Sequence, residues 1–116
     1  MEPLQTQPTP LAVIEWDAPE EFCFLFGDGY RVHGGMVATL LDTAMGGACW
    51  TLMEEHEHFL TGNLSVDYYR SARPGLLRAE GRVVHRTRRL VFCTADLTDG
   101  EGKAIAASRC TQVVLA

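Results

Sequence analysis

Several sequence features are scarce or missing from this chain of 116 residues, and each absence argues against one class of protein. No apolar run approaches the roughly 20 residues that a membrane-spanning helix needs. Basic residues do not outnumber acidic ones, and the net charge of −5 gives no reason to expect a nucleic-acid partner. The segment Met1-Glu2-Pro3 does not begin a basic region followed by an apolar stretch, so we expect no signal peptide and a cytoplasmic location.

Metal and disulfide signatures are also missing. The cysteines show no CxxC spacing and stand in apolar or strand-like surroundings, which favours core thiols in a reducing compartment over disulfides or zinc ligands. His56 and His58 are two residues apart, so on a helix they would point in different directions, which favours a solvated helix end over a metal site. We therefore expect no metal and no cofactor. The cysteines are Cys23, Cys49, Cys93 and Cys110.

The composition is that of one folded domain. Apolar residues make up 47% of the chain and charged residues 22%, which is ordinary for a globular protein. Residues 1–10 contain three prolines and few apolar groups, and are expected to form a flexible leader. Residues 11–116 are expected to form a single domain.

The longest helical pattern runs from His33 to about Met53. On a helical wheel, five apolar residues gather opposite Asp42, which predicts an amphipathic helix lying on a core. Small residues flank Asp42, and no Lys or Arg lies between His33 and Trp50. Asp42 is therefore predicted to lie on a face that a ligand or a second chain can approach, the alternative being a solvated helix residue. The apolar set is Val37, Leu40, Leu41, Ala44 and Ala48; the small set is Gly35, Ala38, Thr39, Gly46 and Cys49.

The rest of the chain has strand periodicity. Before the helix, Leu11 to Trp16 predicts a short strand, Phe22 to Phe26 a strand or a buried turn, and Gly27-Asp28-Gly29 a tight turn. After it come four alternating segments joined by short turns, one of them the hairpin signal Asp99-Gly100-Glu101-Gly102. This order predicts an α+β fold, in which an antiparallel β-sheet wraps around one long central helix. The four segments are Thr61–Tyr69, Leu76–Arg86, Leu90–Thr98 and Ala104–Leu115.

The two glycines at the helix start suggest chemistry. Gly34 and Gly35 leave N–H groups without side-chain cover at the positive end of the helix, where an anion or a carbonyl oxygen becoming one can bind. Gly34 and Asp42 are roughly 12 Å apart along the axis, at about 1.5 Å per residue, which is too far for both to act on one carbon atom. We therefore predict a site shared between two subunits, with the helices antiparallel across a two-fold axis.

Four segments together carry a resemblance to a known family. They are His33-Gly34-Gly35, Leu41-Asp42-Thr43-Ala44, the strand from Thr61 to Val66, and Tyr69-Arg70-Ser71-Ala72-Arg73 with Gly75. Over roughly residues 30–115 the chain resembles the hotdog-fold acyl-CoA thioesterases, specifically the PaaI-like branch. The resemblance implies the hotdog fold.

The resemblance also implies catalytic roles. Asp42 matches the helix carboxylate that acts as nucleophile or general base, and Gly34 the glycine whose N–H polarises the thioester carbonyl. Thr61 stands where related enzymes place a Ser or Thr that positions the attacking water. One departure is Gly27, which occupies the position of an Asn that contacts the thioester or a water in some relatives.

Other residues are candidates for binding substrate. His33 and Gly35 adjoin the implied oxyanion site, although a histidine that only fixes the loop is an equal interpretation of His33. Arg86 and Arg88 could bind the phosphates of coenzyme A, the alternative being an ordinary charged hairpin tip.

The sequence thus predicts a thioesterase that hydrolyses an acyl-CoA or aryl-CoA thioester to free acid and CoA. Its expected partner is a second copy of the chain in a homodimer, with a homotetramer of two dimers also compatible, and neither nucleic acid nor a membrane. The alternative function is a non-catalytic hotdog module that binds or senses acyl-CoA. A hydratase is disfavoured because the chain lacks the Asp or His pair and the overhanging segment of hotdog hydratases.

Overall fold

A five-stranded antiparallel sheet packs against one helix in the computed structural model, which describes residues 11–116. The sheet order is β1-β5-β6-β7-β4, and β2 and β3 form a separate hairpin. The predicted α+β architecture is confirmed. In chain order the elements are β1 (Leu11–Ala18), a 3₁₀ turn (Glu20–Phe22), β2 (Cys23–Phe26), β3 (Gly29–Val32), α1 (Gly34–Trp50), β4 (His58–Tyr68), β5 (Gly75–Arg86), β6 (Leu90–Asp99) and β7 (Ala104–Leu115). The predicted leader, residues 1–10, lies outside the described residues.

Helix α1 is slightly shorter than the pattern predicts. It ends at Trp50 rather than near Met53. The N–H groups of Thr51, Leu52 and Met53 bond to carbonyls three residues back, and this tighter winding ends the α-helix. The Thr51 hydroxyl also donates to the Ala48 carbonyl at 2.7 Å. No helix among residues 11–116 is long and apolar enough to cross a membrane.

The apolar face of α1 forms the centre of the core. All five residues predicted to lie opposite Asp42 are buried, and Met45 is fully buried with them. Cys49, which the wheel places beside Asp42, is completely buried, as expected of a core thiol. The helix packs mainly on β5 and β6.

Gly81 lets the helix approach the sheet closely. The inward face of β5 is buried as the alternation predicts, and Gly81 lies within it, directly under α1. A Cβ at this position would collide with the main-chain carbonyl of Ala44 and lie 2.7 Å from the Met45 nitrogen. Only glycine fits this contact, which sets the distance between helix and strand. The inward residues are Leu77, Ala79, Gly81 and Val83.

The β2–β3 hairpin is more exposed than predicted. The side chains of Phe24, Leu25 and Phe26 are exposed, so the prediction of a strand is confirmed and that of a buried turn is wrong. Its turn contains Gly27, whose φ of 55° lies in the left-handed region that favours glycine.

The segment after β4 holds this hairpin in place. The Val32 N–H donates to the Ala72 carbonyl at 2.8 Å. Asp28, in the hairpin turn, forms ion pairs with Arg31 and Arg73 at 2.8 and 3.0 Å. Hydrogen bonds from these two arginines lower the pKa of the Asp28 carboxyl. The segment from Tyr69 to Arg73 that contributes to the family resemblance therefore has a structural role here.

Strand β4 lies at the edge of the sheet. It pairs only with β7, so its other edge is open within the described chain. Leu64 and Tyr68, which the alternation places with Val66, are 39% and 51% exposed. An open edge that carries exposed apolar side chains can pair with another strand.

Candidate active site

The first turn of α1 leaves one backbone donor unused. His33 caps the helix: its Nδ1 accepts a hydrogen bond from the Gly35 N–H at 3.0 Å. The His33 carbonyl accepts from Met36 and Val37 at 2.9 and 3.2 Å. Among residues 11–116, nothing accepts a hydrogen bond from the Gly34 N–H. The predicted oxyanion donor therefore has a free N–H at a positive helix end, while His33 acts as a cap.

Tyr68 fixes this helix start, and sequence reasoning did not assign it a role. Its hydroxyl donates to the Gly34 carbonyl at 2.7 Å. Its ring would lie 3.6 Å from a Cβ placed on Gly34. The available signal was the alternation of β4, which places Tyr68 on the same face as Val66, a residue that packs on the core. A rigid carbonyl on one side of Gly34 helps to hold the adjacent amide in a fixed direction.

Two clefts flank the Gly34–Gly35 start of the helix. One, of about 330 Å³, lies between the β2–β3 hairpin and the end of β4, and Phe24, Val37 and Tyr68 contribute to its lining. The other, of about 370 Å³, is lined in part by Phe22 and Met36. Both are largely apolar, so an apolar acyl group could lie beside the free amide.

Asp42 and Thr61 are brought together as predicted. Asp42 lies two turns along α1 and is half-buried. Its Oδ1 is 3.2 Å from the hydroxyl oxygen of Thr61 on β4. No arginine, lysine or histidine in the described part of the chain forms an ion pair with Asp42. The carboxylate is thus available to accept a proton or to attack a carbonyl carbon.

A β-bulge turns Thr61 toward the helix. Strict alternation would place Thr61 on the same face as Asn63, away from α1. The pairing of β4 with β7 shifts between Thr61 and Asn63, so Gly62 is an extra residue in the strand. The bulge reverses the alternation and brings Thr61 onto the side of Asp42. A Cβ on Gly62 would lie 2.9 Å from Val113, so the bulge fits glycine best.

Gln112 joins this group and was not predicted. It pairs with Thr61 across the sheet and its side chain is completely buried. Its Oε1 is 2.9 Å from the Thr61 hydroxyl oxygen, and its Nε2 is 3.3 Å from Cys110 Sγ. The signal in the sequence was a polar residue on the inward face of β7, in step with Cys110 and Val114.

Burial disfavours two of the core cysteines, Cys49 and Cys93, as nucleophiles. The four cysteines are free, and all except the half-buried Cys23 lie in the core as expected. Burial raises the pKa of Cys49 to about 11. The hydrogen bond to Cys110, together with burial, raises the pKa of Cys93. Protonated thiols are poor nucleophiles, so Cys49 and Cys93 are poor candidates. The hydrogen bond with Cys93 lowers the pKa of Cys110, whose side chain is buried in the core.

The two candidate arginines differ in their surroundings. Arg86 forms an ion pair with Glu57 at 2.9 Å and donates to the Leu52 carbonyl at 2.9 Å, so it ties β5 to the segment after α1. Arg88 instead lines a cleft of about 510 Å³ together with Arg89, His56 and Glu57. Arginine side chains at an open cleft can bind a phosphate group, and Arg88 is the better placed of the two predicted arginines.

Comparisons with known proteins agree with this geometry. A family model described as the thioesterase superfamily matches residues 30–106. No curated protein matches the chain significantly. Among solved structures, a Bordetella protein from the thioesterase superfamily is 33% identical with a TM-score of 0.75, and the match covers 95% of this chain and 80% of that one.

Two further structures are similar. A phenylacetic acid degradation-related protein of Ralstonia eutropha JMP134 is 25% identical with a TM-score of 0.81, over 90% of this chain and 76% of that one. The BH2602 protein of Bacillus halodurans, whose crystal structure contains CoA, is 24% identical with a TM-score of 0.80 over 89% of this chain. The chain spans 66% of the length of BH2602. One helix packs on an antiparallel sheet, and the family model matches well over half of the chain. The chain therefore has the hotdog fold and belongs to the thioesterase superfamily.

Proposed function

We propose that this protein hydrolyses an acyl-CoA or aryl-CoA thioester to free acid and CoA, at a site shared by two copies of the chain. The observation that carries the proposal is the pair of groups on α1. Among residues 11–116, the Gly34 N–H at the positive end of the helix has no hydrogen-bond acceptor, and Asp42 contacts Thr61 but no cation. Thioester hydrolysis needs these two elements: a donor for the developing oxyanion and a carboxylate beside the carbonyl carbon.

Gly34 would act on the carbonyl oxygen. When a nucleophile adds to the thioester carbon, negative charge develops on this oxygen, and a fixed N–H donor stabilises it. The cap by His33 and the hydroxyl of Tyr68 hold the first turn in place, so the amide need not reorganise during the reaction. Gly35 is already bonded to His33 and would contribute by leaving space for the substrate.

Asp42 would supply the second element by one of two routes. As a general base it takes a proton from water, whose hydroxide adds to the carbonyl carbon; the tetrahedral intermediate then collapses, and the CoA sulfur leaves and takes up a proton. As a nucleophile it adds to the carbon itself, CoA leaves, and water hydrolyses the resulting anhydride. In both routes Thr61 adjoins the carboxylate.

Gly34 and Asp42 can act on the same thioester only if they come from two copies of the chain. Eight residues of helix separate Gly34 from Asp42, or roughly 12 Å at about 1.5 Å per residue. The open edge of β4, with Leu64 and Tyr68 exposed, offers a surface on which an identical strand could pair. An antiparallel pair across this edge would place two helices side by side on one extended sheet. Each Gly34 would then lie near the partner's Asp42.

The clefts support a CoA thioester as substrate. The two clefts beside Gly34 are mainly apolar and suit an acyl or aryl group. The cleft lined by Arg88 and Arg89 suits the phosphates of the CoA nucleotide. The CoA-containing structure of BH2602 and the phenylacetic acid degradation-related relative are consistent with this substrate class and with a place in the PaaI-like branch.

A matched pair of variants at Gly34 tests the oxyanion role. Gly34 is the first helical residue, where proline is well tolerated, and His33 has the extended backbone (ψ 134°) that proline requires of its predecessor. Gly34→Pro removes the N–H and puts the ring carbon Cδ in its place, and we expect kcat to fall by about 10²–10³. Gly34→Ala keeps the N–H and makes an ordinary 3.6 Å contact with Tyr68, so it should lose much less.

The assay is release of free thiol from CoA thioesters of graded chain length, with one aryl thioester, and Asp42→Asn as a second variant. We expect kcat for Asp42→Asn to fall by about 10²–10⁴. Wild-type protein that releases no thiol from any member of the panel would refute the function. Equal activity of the proline and alanine variants would remove Gly34 from its role.

A further inference from the structure

The buried amide of Gln112 is unusual for its surroundings. It lies on the inward face of β7, with no exposed surface, next to Cys110 and close to the helix. A buried amide without hydrogen bonds loses its contacts with water and gains none in return, so a polar side chain here needs partners. Every described buried polar side-chain atom has one. For Gln112 these are Thr61 and Cys110, and Thr61 connects it to the carboxylate of Asp42.

The hydroxyl of Thr61 has one proton but two close oxygen atoms. Its oxygen is 2.9 Å from Gln112 Oε1 and 3.2 Å from Asp42 Oδ1 as the amide is placed in the structure, and a half-turn of the amide would exchange Oε1 for Nε2 at this contact. A hydroxyl can donate to one of them at full strength, and the amide end that faces it decides which one. If the amide oxygen faces Thr61, the Thr61 hydroxyl donates its hydrogen bond to that oxygen. A lone pair of the Thr61 oxygen then points toward the carboxylate of Asp42. If the amide nitrogen faces Thr61, it donates, and the hydroxyl proton is left for Asp42.

The arrangement with the amide nitrogen toward Thr61 gives the same atoms a stronger set of hydrogen bonds. The oxygen and nitrogen of an amide have nearly the same shape, so the hydrogen-bond network determines which end points where. With the nitrogen toward Thr61, the amide donates to the hydroxyl oxygen, the hydroxyl donates to the carboxylate, and the amide oxygen can accept the Cys110 thiol proton. The bond to a carboxylate is charge-assisted and about twice as strong as a neutral one. The opposite orientation forfeits that bond and leaves two oxygen atoms facing each other.

We propose that Gln112 is a positioning residue for the catalytic carboxylate: its Nε2 donates to Thr61 Oγ1, which directs the Thr61 hydroxyl proton onto Asp42 Oδ1. This inference rests on the proposed thioesterase function. Gln112 itself touches no reacting atom. By holding Oδ1, Thr61 fixes the rotation of the carboxylate, and Oδ2 is left to meet water or the thioester. The role of Thr61 is then to orient Asp42 rather than to hold the water alone.

The orientation of the amide can be measured without any activity. In protein labelled with ¹⁵N, the side-chain amide protons of Gln112 are assigned by their loss in Gln112→Met, and their nuclear Overhauser contacts are recorded. We expect contacts from these protons to the Thr61 methyl group, and a shift of their resonances in Thr61→Val. Contacts to the Cys110 β-protons instead would overturn the proposal.

A double-mutant cycle measures the effect on catalysis. Gln112→Met keeps the length of the side chain without the amide, and Thr61→Val keeps the shape without the hydroxyl. If Gln112 acts through Thr61, we expect Gln112→Met to lower kcat by about tenfold in the wild-type background, with KM unchanged, and to have almost no further effect in Thr61→Val. A purely structural role predicts that the two losses multiply, and this outcome would overturn the proposal.

Two controls distinguish a positioning role of Gln112 from a purely structural role and from loss of folded protein. Gln112→Asn retains the amide on a shorter stem, so it should not restore kcat, whereas a merely structural need for any buried polar group would be met by it. Thermal unfolding of each variant shows whether a loss of kcat comes from unfolded protein. If wild-type protein hydrolyses no thioester, the proposed function falls, and the nuclear Overhauser contacts alone then decide the arrangement of Gln112, Thr61 and Asp42.

Discussion

Replacing Gly81 with alanine tests the packing of the helix on the sheet. A Cβ at this position would collide with the carbonyl of Ala44 and come within 2.7 Å of the Met45 nitrogen. These obstacles are main-chain atoms in the middle of α1, so they cannot move aside as a flexible side chain would. The helix must shift away from β5, and every buried side chain between them then loses contact area.

The expected loss of stability follows from two opposing effects. Overpacking of a core costs typically 1–3 kcal/mol, and we take the upper end, about 3 kcal/mol, because the clash is with backbone. Replacing a glycine inside a strand gains roughly 0.5–1 kcal/mol from the smaller entropy of the unfolded chain. The net loss is about 2 kcal/mol, which for a domain of this size lowers Tm by about 8 °C.

Thermal unfolding followed by circular dichroism at a fixed protein concentration measures this shift. Concentration must be held constant because Tm depends on it in any oligomer. Gly100→Ala is the matched control: a Cβ there meets Leu76 Cβ at an ordinary 3.8 Å, so its Tm should stay close to that of wild type. A Gly81→Ala protein that melts within about 2 °C of wild type would refute the close approach of helix and sheet.

Three further changes have definite expected outcomes. Arg88→Ala should raise KM for CoA thioesters but not for the matching pantetheine thioesters, which lack the nucleotide phosphates; equal effects on both would refute phosphate binding there. The hydrogen bond from the Glu54 N–H is the first cause of the lowered pKa of Glu57. Because protonation of this carboxyl favours the unfolded chain, thermal stability should fall as the pH drops below about 4.5. Glu57→Gln should weaken that dependence in a pH series of melting curves. Tyr68→Phe should cost about 1 kcal/mol, measured by urea unfolding, because the hydroxyl no longer holds the Gly34 carbonyl; unchanged stability would contradict this.

The fold could be predicted because hydrophobic periodicity depends on local sequence. The burial of Leu41 and Ala44 follows from a 3.6-residue repeat, and the inward faces of β5 and β6 follow from a two-residue repeat. Cys49 shows the limit of this reasoning. The helical wheel places it near Asp42, but how widely the sheet covers the last turn of α1 depends on tertiary packing, which the repeat does not contain.

The site could be predicted only in part. Asp42 and Gly34 were found because they lie on one helix, where spacing gives direction and distance. The bulge at Gly62 cannot be derived from alternation, although it decides that Thr61 faces Asp42. Gln112 lies 51 residues after Thr61, and its role depends on the pairing of β4 with β7, a long-range contact that strand periodicity does not specify.

The central claim is that Gly34 of one subunit and Asp42 of another form each active site. Mixed dimers test it directly. One subunit carries Gly34→Pro with an intact Asp42, the other carries Asp42→Asn with an intact Gly34, and two different affinity tags allow the mixed dimer to be purified after co-expression. Each parent homodimer lacks one required group at both of its sites.

In the mixed dimer, a shared site restores one complete pair. The intact Gly34 of one subunit meets the intact Asp42 of the other, while the second site carries both substitutions. Thiol release from a CoA thioester by the purified mixed dimer should therefore recover to about half of the wild-type rate per dimer. A mixed dimer no more active than its two parents would show that each subunit works alone, and would contradict the account.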